Sequence, residues 1–117
     1  MPATDPFTYN VPKKVSDSEL ARALRLDAMA EFDAINLYSA HMDSTENEDA
    51  RKVLAFVMRD EKEHFALFAA LIRRLDPDQG DKMQDADPKL DAILSLPLGA
   101  SEAEVDKATE KVSRSRP

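Results

Sequence analysis

A long segment without any helix-interrupting residue dominates this chain. Neither glycine nor proline occurs in residues 13–76, and all glycines and prolines of the sequence lie before or after that segment. Proline breaks a helix interior and glycine weakens it, so helices can run without interruption here. Apolar residues at helical spacing predict two helices in the segment, one over 17–43 and one over 46–75.

Capping residues mark the ends of both predicted helices. Ser16 followed by Glu19 matches a capping box at the start of the first helix. The polar run DSTEN at 43–47 predicts the connection, and the run DPDQG at 76–80 predicts the end of the second helix. Since a short connection makes two helices antiparallel neighbours, the sequence predicts a helical hairpin over 16–76.

The segments on either side of the hairpin carry weaker signals. Residues 1–15 are predicted to form an extended or disordered arm, and residues 77–117 a C-terminal extension with short helices. One short helix is expected over 88–94. Another is expected to begin with the capping pattern of Ser101 and Glu104.

Apolar residues cover more of the second helix than one neighbouring helix can bury. Steps of three and four residues place an apolar seam along each helix, and Val53, Phe56 and Leu67 lie outside it. A lone hairpin buries too little surface to offset its chain entropy. We therefore predict an all-α fold in which at least two hairpins form a four-helix, ferritin-like bundle, with the homodimer as the smallest unit.

Composition disfavours several classes of function. The formal net charge of −7 disfavours non-specific binding to nucleic acid, and no apolar run is long enough to span a membrane. The first residues lack a basic start and an apolar run, so we expect no secretory signal. Cysteine is absent, which excludes disulfides and cysteine-based metal sites. Because His41 and His64 are the only histidines, a metal site within one copy must be rich in carboxylates.

Three polar residues interrupt the apolar seams at one level. Glu31 lies midway along the first predicted helix, whereas Glu61 and His64 share one face midway along the second. Di-iron carboxylate bundles take a glutamate from each of two helices and a Glu-x-x-His motif from each of the other two. One hairpin encodes half of this set. We therefore predict that Glu31, Glu61 and His64 bind iron in a di-iron centre shared between two chains.

Structural interpretations of the same residues stay open. Glu31 could fix the helix register as a buried polar group, and Glu61 could pair with a basic residue of a neighbour. Tyr38 lies on the face of Glu31 two turns later and is either a packed aromatic or a hydrogen-bond donor at the metal centre. The other polar residues near this level are predicted to be solvated: Asp27, Asp33, His41, Asp60 and Glu63.

Two segments resemble a known family. The sequences EFDAINLY at 31–38 and RDEKEH at 59–64 are similar to the encapsulated ferritins, which are two-helix ferritin-like proteins. The resemblance implies that Glu31, Glu61 and His64 ligate iron across a dimer interface, with Tyr38 beside them as a site residue. It also implies a ferroxidase that forms a ring-shaped decamer built from dimers in the cytoplasm, inside an encapsulin shell that stores the ferric product.

Some positions depart from that family. A family member often has acids on both sides of the ligand glutamate and a tryptophan before the tyrosine, where this chain has Ala30, Asp33 and Leu37. A shell-targeting peptide is not evident in residues 101–117, and the segment LPLGAS at 96–101 is the nearest match to a docking sequence.

The predicted function is oxidation of ferrous iron for storage or detoxification. Two alternatives remain, a non-enzymatic helical assembly module and another di-iron carboxylate oxidase or peroxidase. Because cysteine is absent, a rubrerythrin-like peroxidase with a rubredoxin-type iron site is disfavoured.

Overall fold

Four helices form the part of the chain that the computed structural model describes, residues 13–115. They are α1 (Asp17–Asp43), α2 (Glu48–Leu75), α3 (Pro77–Ser95) and α4 (Glu102–Ser115). No strand occurs among these residues, which confirms the predicted all-α class. Most of the predicted N-terminal arm, residues 1–12, lies outside the described residues.

The helices divide into two compact units on either side of the junction between Asp76 and Pro77. In the first unit α1 packs against α2, and in the second α3 packs against α4. Within residues 13–115, no helix combines the length and the hydropathy that crossing a bilayer requires.

A capping box starts α1 at the predicted position. The Ser16 hydroxyl accepts a hydrogen bond from the Glu19 backbone N–H at 3.1 Å, and the Glu19 carboxylate accepts one from the Ser16 N–H at 3.2 Å. These two contacts satisfy donors that a helix start otherwise leaves free. The hydrogen bond from the Ser16 backbone lowers the pKa of the Glu19 carboxyl below its ordinary value.

The connection between α1 and α2 is held by side chains at both of its ends. The Asn47 side chain accepts a hydrogen bond from the Ala50 N–H at 3.0 Å, so α2 begins at Glu48, two residues later than predicted. The Arg51 guanidinium donates to the carbonyl of Met42 and, at 3.4 Å, to that of Thr45. The last carbonyls of a helix have no partner within it, and a basic side chain can satisfy them.

The core of the first unit lies toward the open end of the hairpin. Leu24, Ala28 and Ile72 are buried together, and partly buried apolar residues pack against them: Leu20, Phe65, Phe68 and Leu75. From residue 29 to residue 71 no side chain is fully buried. The half of the hairpin near the connection therefore lacks a closed core within one chain.

The predicted seam of α1 is confirmed, since all of its members are buried or half-buried: Ala21, Leu24, Ala28, Glu31, Ile35, Tyr38 and Met42. The predicted seam of α2 is more exposed to solvent than that of α1, because two of its members, His64 and Leu71, are exposed. Large apolar side chains stay uncovered on both helices: Met29, Phe32, Leu37, Val53, Phe56, Leu67 and Leu71.

The second unit differs from the prediction at its first helix. The expected stop at 76–80 is limited to Asp76, whose extended φ of −128° and ψ of 91° suit a residue before proline. Pro77 occupies the first helical position, where its missing N–H is not needed. Gly80 and Pro88 lie inside α3, so residues 88–94 are helical as predicted but belong to a longer helix that begins at Pro77. Packing against α4, with Ala92 buried, offsets their low helix propensity.

The last helix agrees with its predicted start. Ser101 and Glu104 form a second capping box, with backbone-to-side-chain hydrogen bonds of 3.2 and 3.3 Å. The segment LPLGAS at 96–101 forms the connection between α3 and α4. Its Gly99 has a φ of +89°, a conformation that favours glycine, and its Leu98 is fully exposed.

Candidate metal centre

Two helices bring three candidate ligands together near the middle of the hairpin. Glu31 lies on α1, and Glu61 and His64 lie one turn apart on α2. One oxygen of each carboxylate and one ring nitrogen of the imidazole all lie within 4.8 Å of one another. The predicted meeting of these residues is thus observed, while their binding of a metal stays a prediction.

The Nδ1 atom of His64 faces both carboxylates. It lies 3.7 Å from Oε2 of Glu61 and 3.9 Å from Oε1 of Glu31. Both separations exceed an ordinary hydrogen-bond length of about 2.9 Å. They are close to the span of two metal–ligand bonds of about 2.0–2.2 Å each. The cluster therefore has room for a cation between its three donor atoms.

Solvent reaches the three donors to different extents. The side chains of Glu31 and Glu61 are 19% and 18% exposed, whereas that of His64 is 50% exposed. Half-buried carboxylates lose part of their hydration, and a bound cation compensates for that loss. The cluster is closed on the side of the two carboxylates and open on the side of the imidazole.

Uncovered apolar side chains border the open side of the cluster. We call Val53, Phe56, Leu67 and Leu71 the outer stripe of α2, because all four are exposed and their spacing places them on the side of α2 that carries His64. Leu67 alone is 64% exposed. Exposed apolar patches are common at surfaces that bind another protein, a membrane or a ligand.

Two aromatic rings meet beside the ligands. Phe32 follows Glu31 in the sequence and Phe65 follows His64. Their ring centroids lie 3.8 Å apart, with an angle of 25° between the ring planes. No motif in the sequence predicts this contact. The only signal for it was an apolar residue directly after a ligand on each helix.

Tyr38 is half-buried on α1, two turns after Glu31, and its hydroxyl makes no hydrogen bond to any residue within 13–115. Its role at the centre therefore stays a prediction. The solvated positions predicted for four polar residues are confirmed, since these are exposed: Asp27, Asp33, His41 and Glu63. Asp60 is half-buried instead, so the prediction for this residue is wrong.

The set of donors fits a first-row transition metal. Carboxylate oxygens and imidazole nitrogens suit iron, manganese and zinc. A glutamate on one helix and Glu-x-x-His on the next is half of the pattern of a di-iron carboxylate bundle. The EncFtn-like family model matches residues 10–94. The chain belongs to the EncFtn-like family. This confirms the resemblance to the encapsulated ferritins.

Two curated relatives are similar to this chain. The encapsulin nanocompartment cargo protein EncC of Myxococcus xanthus is 52% identical over 106 residues, which are 91% of this chain and 79% of that protein. The ferritin-like–encapsulin shell fusion protein of Pyrococcus furiosus is 43% identical over 79 residues, which are 68% of this chain and 23% of the fusion protein.

The EncFtn-like match extends beyond the hairpin. It includes α1, α2 and all but the last residue of α3, whereas the resemblance in the sequence covered only the two hairpin helices. The helix α3 is therefore a part of the family's shared region, although its residues contribute nothing to the ligand cluster.

Proposed function

We propose that this chain is a ferroxidase that oxidises ferrous to ferric iron at a di-iron centre formed between two copies of the chain. One observation carries the proposal. Glu31, Glu61 and His64 converge within 4.8 Å, and these residues are half of the ligand set of a di-iron carboxylate bundle.

A second copy would complete both the ligand set and the packing. Two chains about a twofold axis supply four glutamates and two histidines, one imidazole for each iron. The outer stripe of α2 borders the open side of the cluster, so a docked copy would cover this apolar surface and close the centre in one step. The homodimer is therefore the smallest active unit in this proposal.

Charge balance favours binding of two ferrous ions. Four carboxylates carry four negative charges, and two ferrous ions carry four positive charges, so the loaded centre is neutral. Oxidation adds one positive charge for each iron, so the ferric centre needs two further negative charges, such as two hydroxides, to stay neutral. The acidic chain, with a net charge of −7, also attracts cations from solution.

The protein's part in the reaction is placement. Glu31 and Glu61 hold the ferrous substrate through oxygen, and His64 holds it through Nδ1, the nitrogen that faces both carboxylates. Each ferrous ion gives up one electron, and the two electrons with two protons reduce dioxygen to hydrogen peroxide. Dioxygen could be replaced by peroxide, which the same two electrons and two protons reduce to water. Tyr38 is proposed to donate a hydrogen bond beside the centre.

We propose that the iron is oxidised for storage or detoxification, and the relatives support an association with a shell protein. One is named as an encapsulin cargo protein and the other as a fusion to an encapsulin shell. We propose that this chain also acts inside an encapsulin nanocompartment and that its dimers assemble into a larger ring, a decamer by resemblance to the family.

Anaerobic loading with ferrous iron followed by exposure to oxygen tests the proposal. We expect one iron for each chain at saturation, and we expect absorbance of ferric iron to grow as oxygen is consumed at one molecule for every two ferrous ions. Protein that binds no iron would refute the metal centre and favour the non-enzymatic assembly module. Protein that binds iron without oxidising it would refute the ferroxidase and leave a metal-stabilised bundle.

A further inference from the structure

The stacked rings of Phe32 and Phe65 join α1 to α2 directly beside the ligands. With centroids 3.8 Å apart, the rings are in contact across the two helices. Each phenylalanine is the residue that follows a ligand, Glu31 on α1 and His64 on α2. The contact therefore lies at the level where the two helices must supply donor atoms to one ion.

One of the two rings is anchored and the other is not. Phe65 packs against the buried cluster of Leu24, Ala28 and Ile72. Phe32 is 52% exposed, so burial alone does not hold its ring in place. No side chain from residue 29 to residue 71 is fully buried. The stack therefore extends the packed region from the core to the level of the ligands.

We propose that Phe32 and Phe65 are a positioning pair, which fixes the distance between α1 and α2 so that Glu31 stays within reach of the metal held by Glu61 and His64. This inference rests on the proposed metal centre. Neither ring has an atom that could bind the metal, so both act through the backbone that carries the ligands.

The two helices depend on the stack unequally. Glu61 and His64 lie one turn apart on one helix, and helical geometry alone keeps them together. Glu31 joins them only if α1 keeps its distance and register against α2. Loss of the stack should therefore remove the contribution of Glu31 and spare the pair on α2.

Binding of Co²⁺ to the full chain, followed by absorption spectroscopy and titration, tests this inference. Aromatic pairs add about 0.5–1.5 kcal/mol beyond their buried area, so we expect Phe32→Leu and Phe65→Leu each to weaken Co²⁺ binding about three- to tenfold and to shift the cobalt absorption bands. Phe32→Tyr keeps the ring, and its hydroxyl can reach solvent at this exposed position, so it should retain the affinity of the unchanged chain.

Two controls separate positioning from general stability. Phe68→Leu makes the same change on α2 at a ring that packs on the same core without stacking on Phe32. It should lower the midpoint of thermal unfolding and leave the Co²⁺ affinity unchanged. In a chain with Glu31→Ala, adding Phe32→Leu should cause no further loss of affinity, because the residue that the stack positions is already absent.

Several outcomes would overturn the inference. Equal loss of Co²⁺ affinity in Phe32→Leu and Phe68→Leu would show that Phe32 has only a general structural role. Further loss on adding Phe32→Leu to Glu31→Ala, or a change of oligomeric state in sedimentation of Phe32→Leu, would show that Phe32 acts elsewhere. If the unchanged chain binds Co²⁺ and both leucine variants bind it as tightly, the positioning pair alone is refuted. If the unchanged chain binds neither Co²⁺ nor Fe²⁺, the metal centre itself is refuted.

Discussion

His64 and Glu31 approach each other across the hairpin, with 3.9 Å between Nδ1 of the imidazole and Oε1 of the carboxylate. The neighbouring pair, His64 and Glu61, lies at 3.7 Å, which their spacing on one helix already explains. The contact with Glu31 has no local cause. It requires the register between α1 and α2, which the connection and the packed core set together.

Loss of a ligand should abolish iron oxidation and leave the helices intact. Glu61→Ala or His64→Ala removes one of three donors in each half of the centre. Loss of even a supporting residue around a metal ligand commonly costs about 10- to 100-fold, so we expect oxidation to slow by more than about 100-fold. The measurement is the initial rate of ferric absorbance in air, with circular dichroism to check helix content.

Glu63→Ala is the matched control for the ligand variants. It removes the same type of side chain from the same turn of α2, at an exposed position outside the ligand cluster. It should retain the rate of the unchanged chain. Full activity in Glu61→Ala, or an equal loss in Glu63→Ala, would contradict the assignment of the ligands.

A charge within the outer stripe of α2 should prevent assembly. Leu67→Glu places a carboxylate on a surface that the proposed dimer would bury, and burying a charge without a partner costs about 3–5 kcal/mol. The dissociation constant of the assembly should rise by at least about 100-fold, as sedimentation velocity over a range of concentrations would show. Iron binding should fall in parallel because half of the ligands would be lost.

Ala66→Glu adds the same charge one residue earlier. This position is exposed, and helical spacing places it beside Lys62 and Arg73, away from the outer stripe. The assembly should tolerate it. Were Leu67→Glu to assemble as tightly as Ala66→Glu, the outer stripe would not be the contact surface between copies.

The capping box at the start of α1 should make stability depend on pH in the acid range. The hydrogen bond from the Ser16 backbone lowers the pKa of Glu19 in the folded chain, so the folded state favours the ionised carboxylate. Its contribution is fully present above the unfolded pKa and is lost as pH falls through the lower folded value. Glu19→Gln does not titrate, so the stability difference between the two chains should shrink below about pH 4.

Urea unfolding at several values between about pH 6 and about pH 3 measures this difference. Glu46→Gln, at an exposed position in the connection between α1 and α2, is the control. The difference in unfolding free energy between this variant and the unchanged chain should not shrink in the same way as the pH falls. A stability difference between the unchanged chain and Glu19→Gln that stays constant across the range would argue against the capping contribution.

Replacement of Pro88 should stabilise the second unit. This proline lies inside α3, where it removes one hydrogen bond and crowds the preceding turn at a cost of about 3 kcal/mol relative to alanine. Pro88→Ala should raise the free energy of unfolding by up to that amount in urea titration. Pro97→Ala, in the connection between α3 and α4, has no helical hydrogen bond to recover and should give no gain.

The hairpin could be predicted from the sequence because each of its determinants is local. The lack of glycine and proline indicated the two long helices, and Ser16 with Glu19 located the first residue of α1. Glu31, Glu61 and His64 stood out because each is polar at a position where its seam is otherwise apolar. Only the meeting of α1 and α2 at one level was needed to bring them together.

Other features could not be predicted because they depend on packing between distant residues. Pro77, Gly80 and Pro88 gave strong local signals against a long helix, yet contact with α4 keeps α3 continuous. The stack of Phe32 on Phe65 requires the relative rotation of two helices, which the apolar pattern constrains only loosely.

The concentration of fully buried side chains at the open end of the hairpin has a consequence for dynamics. Amide hydrogens near Leu24 and Ile72 should exchange slowly both in the folded single chain and in the assembly, while those flanking the connection should exchange quickly until another subunit covers them. Rigidity at the iron ligands would then be a property of the assembly, and dilution would loosen the centre before it unfolds the helices.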